Sequence, residues 1–105
     1  MPKPKFGKCT DKDWPVGQTL PLHIHLVGDT TNIRVRIWDA IRPDKGAKPD
    51  VLILHEGDYD SMENPFPFDP MIPGLHTITI QTWDPGDLKA AGVPFVHQHI
   101  TIGVH

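Results

Sequence analysis

A chain of 105 residues has room for one domain, and with 38% hydrophobic and 22% charged residues it fits neither the disordered nor the membrane-embedded class. A net charge of -3 argues against a nucleic-acid binder, which carries a basic excess, and no apolar run approaches the roughly 20 residues of a membrane-spanning helix. The single cysteine, Cys9, leaves no intrachain disulfide, so the fold must stand on packing or on contacts with other subunits.

Residues 1–15 read as an extended arm. Pro2 and Pro4 exclude helix, Lys3, Lys5 and Lys8 make the arm basic, and Phe6 is its apolar anchor. The opening MPKPKFGK has no apolar core, so no signal peptide is expected. Residues 17–27 then alternate, with Leu20, Leu22, Ile24 and Leu26 on one face and Pro21, His23 and His25 on the other, which predicts a half-buried strand. Pro21 cannot donate to a ladder, so the strand is unpaired on one side there or starts after it. Past a turn at 28–32, Ile33, Val35 and Ile37 alternate with Arg34, Arg36 and Trp38 in a second strand.

Residues 42–50 read as a loop, 51–55 as a short apolar strand, and 56–74 as a long Pro/Asp/Gly loop with a short edge strand near 66–68. Residues 75–83 alternate strictly, with Ile78 and Ile80 inward, and Asp84-Pro85-Gly86 closes the run. Residues 84–94 form a further loop whose best helical candidate is one turn near Leu88 to Ala91. The last strand spans 95–104, with Ile100, Ile102 and Val104 inward. Twelve prolines and nine glycines gather between these runs, as in a many-stranded protein with structured loops.

Val16-Gly17-Gln18-Thr19-Leu20 resembles the start of strand B in bacterial and phage immunoglobulin-like domains, and Gly74-Leu75-His76-Thr77-Ile78-Thr79-Ile80 resembles their strand F. His76 stands where those domains often carry tyrosine, and the cysteine pair and core tryptophan of antibody domains are lacking. The resemblance implies an all-β, immunoglobulin-like two-sheet antiparallel β-sandwich of about seven strands over residues 16–105, behind the arm. It is a likeness of fold and brings no site with it.

Histidine is the most conspicuous reactive residue, at seven. His23 with His25, and His97 with His99, form two His-x-His pairs; on a strand such a pair shares one face at about 7 Å, a workable metal-ligand spacing. Gly17 and the first pair fit the opening of a cupin motif, but its glutamate and its second motif are missing. In the sandwich the two pairs lie on opposite outer faces and cannot share an ion, so no metal site and no cofactor are assigned. His76 shares parity with Ile78 and Ile80, points inward, and reads as a structural histidine bonding loop backbone rather than as a buried base. Glu56, Asp58, Asp60, Glu63 and Asp69 read as a solvated acidic loop, without the glycine and terminal glutamate of an EF-hand. No nucleophile elbow or phosphate-binding glycine loop occurs.

Parity gathers Arg34, Arg36 and Trp38, then Gln81 and Trp83, then His97 and His99, on the outer face of one sheet. Arginine and tryptophan are enriched at recognition hot spots, although a plain polar face fits equally. With Lys3, Lys5 and Phe6 of the arm, these residues are the candidate partner contacts. The expected function is non-enzymatic: a structural or binding module in a larger assembly, most specifically a capsid decoration or other virion surface protein, with a protein partner or further copies of itself. The alternatives are a carbohydrate-binding or cell-surface adhesion module stacking glycans on Trp38 and Trp83, and a histidine-based metal binder.

Overall fold

Alternating side chains turn into paired strands because each strand buries one face. The computed structural model describes residues 4–6, 13–26, 31–43, 48–84 and 96–105; Lys3, Cys9 and the helical turn expected near Leu88 to Ala91 lie outside them. Nine strands are described: β1 Pro4–Phe6, β2 Asp13–Trp14, β3 Leu20–Leu22, β4 Ile24–Leu26, β5 Arg34–Arg42, β6 Asp50–Asp58, β7 Phe66–Phe68, β8 Gly74–Trp83 and β9 Val96–Val104. One 3-10 turn, Tyr59–Ser61, follows β6. Among the described residues no helix is long and apolar enough to cross a membrane.

The protein is all-β. A five-stranded sheet runs in the order β2-β9-β8-β5-β6, and two shorter ladders pair β1 with β4 and β3 with β7. Three expectations need correction. The large sheet is mixed rather than antiparallel, because β2 runs parallel to β9 with Asp13 opposite Gly103 and Trp14 opposite Val104. Sequential hairpins impose antiparallel pairing, but β2 and β9 are separated by the rest of the fold, so no hairpin constrains them. The strand count exceeds seven because two segments of the first 15 residues pair, and because the single strand expected at 17–27 breaks at His23 into β3 and β4. Pro21 lies opposite Pro67 in the β3–β7 ladder, and among the described residues β3 is paired on that one side only, as expected of a strand that holds a proline.

The third correction concerns β6, which runs on to Asp58 where a loop is expected from residue 56. Its extension is held by β5, with Arg34 opposite Asp58 and Arg36 opposite Glu56. A bulge interrupts this ladder: Ile37 faces His55 and Trp38 faces Ile53, leaving Leu54 as the extra residue. Leu54 and His55 consequently both reach the inner side. Leu54 packs on the core and His55 stands edge-on to Phe66.

The core joins both sets of strands. Leu22, Ile24 and Phe68 from the short ladders form one cluster with Val35 and Ile37 of β5, Ile78 and Ile80 of β8, and Ile100, Ile102 and Val104 of β9. Ile24 is further fixed through its backbone: the Asn64 side-chain amide donates to its carbonyl at 2.6 Å, and its own N–H donates to Asn64 Oδ1 at 3.3 Å.

Candidate functional site

The antiparallel registers build the outer face of the five-stranded sheet row by row. Arg34 lies opposite Trp83, Arg36 opposite Gln81 and Trp38 opposite Thr79. On the next strand, His97 is opposite Gln81 and His99 opposite Thr79. The structure thus brings seven of the candidate contacts onto adjoining positions of one sheet. Lys5 and Phe6 stand apart, in β1, opposite His25 and Ile24 of the separate β1–β4 ladder.

The two arginines are held in place by carboxylates across the β5–β6 ladder, Arg34 by Asp58 at 3.1 Å and Arg36 by Glu56 at 2.9 Å. The Arg36 guanidinium also lies 5.6 Å from the centre of the Trp83 ring, within cation–π range. The hydrogen bond and the positive charge of Arg36 hold the Glu56 carboxyl below its ordinary value. Beyond Trp38 and Ala40 the face continues onto Ile53 and Val51, which are 51% and 62% exposed. It is a mosaic of half-exposed aromatic, neutralised charge and bare aliphatic surface.

The histidine pairs belong to different ladders. His25 belongs to β4, His23 to the break before it, and His99 to β9 in the five-stranded sheet. Among the described residues no group of three or more His, Cys, Asp or Glu side chains is placed to hold a metal ion. The acidic side chains are likewise spent separately: Glu56 and Asp58 on arginines, and Asp69 as acceptor for the Thr19 hydroxyl.

A second site lies on the inner side of the same strands. Asp39 of β5 and His76 of β8 are both 1% exposed. Nδ1 of His76 is 2.6 Å from Asp39 Oδ2, and Nε2 is 2.6 Å from the Ile72 carbonyl oxygen. A carbonyl only accepts, so Nε2 must carry a proton. A second proton must then lie between Nδ1 and Oδ2, and the pair is neutral overall whichever atom holds it. Burial raises the Asp39 carboxyl above its ordinary value, with the hydrogen bond and charge of His76 opposing. Phe68 stands edge-on against the imidazole at 5.6 Å.

This pair sits at the base of a pocket of about 210 Å³ whose lining includes Leu52, Leu54, Phe66, Met71 and Ile72. Five of the lining residues remain open to solvent: the apolar Leu52, Met71 and Ile72, together with Pro67 and Asp69. The loop-backbone bond of His76 agrees with its sequence reading. Its bond to Asp39 is not foreseen there, although Asp39 falls two residues after Ile37 in the inward series, and a carboxyl at an inward position requires a partner. Chemically, both nitrogens of His76 are engaged and neither offers a lone pair to a substrate, whereas Asp39 Oδ1 is a buried acceptor with no hydrogen-bond partner among the described residues. No family model, curated protein or solved structure matches the chain.

Proposed function

We propose that this chain is a non-enzymatic binding module with an immunoglobulin-like sandwich architecture. It joins a larger assembly, a capsid or other virion surface, through the outer face of its five-stranded sheet. The sandwich reading is supported by the short β1–β4 and β3–β7 ladders, which share one core with β5, β8 and β9. The binding reading is carried by one observation: Arg34, Arg36, Trp38, Gln81 and Trp83 occupy adjoining positions of a single half-exposed face. Exposed ion pairs contribute at most about 1 kcal/mol, so both guanidinium groups can exchange their carboxylates for a partner's at little loss. The commitment of both ring nitrogens of His76 supports a role without general-base chemistry. Pro4–Phe6 and Asp13–Trp14 are laddered onto their own chain.

A photo-crosslinking residue in place of Thr79, at the centre of the face, tests the proposal in cells that make the protein. It should join the chain to one protein species and carry it into a particle far larger than 11.8 kDa on a sedimentation gradient. A chain that sediments only as free protein, with no cross-link from position 79, would overturn the proposal. A glycan-binding reading keeps some support because Trp38 and Trp83 share the face, although Arg36 already lies over one ring. It predicts that tryptophan fluorescence shifts on titration with glycans, which a protein-binding face does not.

A further inference from the structure

The free edge of β6 gathers most of the bare apolar surface of the described residues. Among them β6 ends the five-stranded sheet, with β5 on one side and no strand on the other. Of the six large hydrophobic side chains left exposed, five lie here: Val51, Leu52 and Ile53 on the strand, and Met71 and Ile72, which share a pocket lining with Leu52. The register sorts the three strand residues. Val51 and Ile53 lie opposite Ala40 and Trp38 on the outer side, and Leu52 opposite Asp39 on the inner side. An edge that is apolar on both faces and open along its backbone is a template for another strand.

We propose that this strand is β6 of a second copy, running antiparallel about a two-fold axis at Leu52, so that two five-stranded sheets merge into one of ten strands. Symmetry limits the registers. Opposed residues of an antiparallel pair alternate between two hydrogen-bonding types, so a two-fold axis must pass through a residue that opposes itself, never between two. An axis at Val51 sets Asp50 against Leu52. An axis at Ile53 brings Asp50 and Val51 up to Glu56, and further on the bulge at Leu54 breaks the ladder. An axis at Leu52 sets Val51 against Ile53 on the outer side and Leu52 against Leu52 on the inner side, so these aliphatic side chains meet only one another. It also carries Lys48, which has no carboxylate partner among the described residues, alongside Glu56 and Asp58 at the far end of the other strand. A parallel in-register pairing would instead place Lys48 beside Lys48 and Asp50 beside Asp50. The five exposed side chains amount to roughly 500 Å² per copy, so the pair covers about 1,000 Å² in apolar area alone, the size at which biological interfaces begin. This pairing goes beyond attachment through the outer face and does not depend on it.

The test uses the full chain. Sedimentation equilibrium of the wild type should fit a monomer–dimer equilibrium. Amides within residues 50–54 should gain protection from hydrogen exchange as concentration rises, while those of β2, at the other edge of the sheet, should not. A chain that stays monomeric at every concentration overturns the proposal and leaves the edge to a strand of another protein; a series of ever larger species overturns it as well. A disulfide scan reads the axis. In a Cys9→Ser background, Leu52→Cys should oxidise to a covalent dimer, because self-opposed residues lie about 4.5–5.5 Å apart, within disulfide reach. Val51→Cys and Ile53→Cys stand out of register with themselves and should link at least about tenfold less. Equal linkage at all three positions, or most at 51 or 53, overturns the proposal. Ile53→Lys brings two charges into the symmetric interface and should weaken the dimer at least about tenfold; an unchanged equilibrium counts against it. The wild-type measurements decide even if a variant fails to fold. Loss of the Thr79 cross-link with the dimer intact would strike at the outer face alone.

Discussion

Asp39 and His76, on neighbouring strands of one sheet, are joined by a 2.6 Å contact in which a single proton serves both residues. That relationship sets how the two residues respond to substitution. Asp39→Ala strips the partner from a buried ring nitrogen and should destabilise the fold by about 3 kcal/mol. Asp39→Asn keeps the shape, and its amide N–H can donate to Nδ1, so it should cost less than half as much. Urea denaturation midpoints of the two variants measure the difference, and equal losses would show that the proton is not shared in this way.

The raised carboxyl of Asp39 also fixes a sign for pH dependence. The folded chain holds this proton more tightly than the unfolded chain does. Its contribution to stability is therefore complete below the ordinary carboxylate value of 3.8 and fades as pH rises through the raised native value. The stability of the wild type relative to Asp39→Asn should accordingly fall as pH rises above about 4. Side-chain carboxyl NMR should show Asp39 titrating above 3.8 and Glu56 below 4.5. An Asp39 carboxyl titrating at or below 3.8 would refute the burial argument.

Gly74 begins β8 with φ of 137°, a conformation that side-chain-bearing residues rarely adopt. A Cβ there would also overlap the Arg42 carbonyl oxygen, part of the backbone rather than a movable side chain. Gly74→Ala should lower stability by about 2 kcal/mol or more. Gly17, also at positive φ, has open space around its position, and Gly17→Ala should cost less. Thermal unfolding of the two variants side by side checks the contrast.

Among the described residues β6 is paired on one side only, by β5, and it carries exposed Val51, Leu52 and Ile53. Edge strands of this kind associate unless a charge intervenes. Ile53→Lys should leave stability within about 0.5 kcal/mol and reduce concentration-dependent association. Light scattering over a concentration series reads the outcome. No change in association would remove β6 as a sticky edge.

Arg36 illustrates why stability and binding should separate on the outer face. Its ion pair with Glu56 and its position over Trp83 are both exposed, so Arg36→Ala should cost less than about 1 kcal/mol. The same variant should weaken attachment to the partner joined through position 79. A loss of stability well beyond that figure would make Arg36 a structural residue instead.

The strands that show most plainly in the sequence are those buried on one face. Val35 and Ile37, then Ile78 and Ile80, then Ile100, Ile102 and Val104 all occupy the inward positions that alternation assigns. What alternation cannot show is where the period breaks. Leu54 looks like any member of an apolar run, and only the ladder with β5 reveals it as the extra residue of a bulge that turns both it and His55 inward. Asp39 was hidden for a related reason: its inward parity was readable, but its partner lies in another strand. The parallel contact of β2 with β9 leaves no local trace at all, since two residues carry no period.

That contact has a kinetic consequence. Val16 donates to the carbonyl of His105, and His105 donates to that of Trp14, so the two ends of the chain are buttoned together across nearly its whole length. Closing so long a loop is entropically the most demanding step for a few hydrogen bonds of return. The button should therefore fasten last during folding, and its amides should be the first to exchange with solvent deuterium while the sheet interior is still protected.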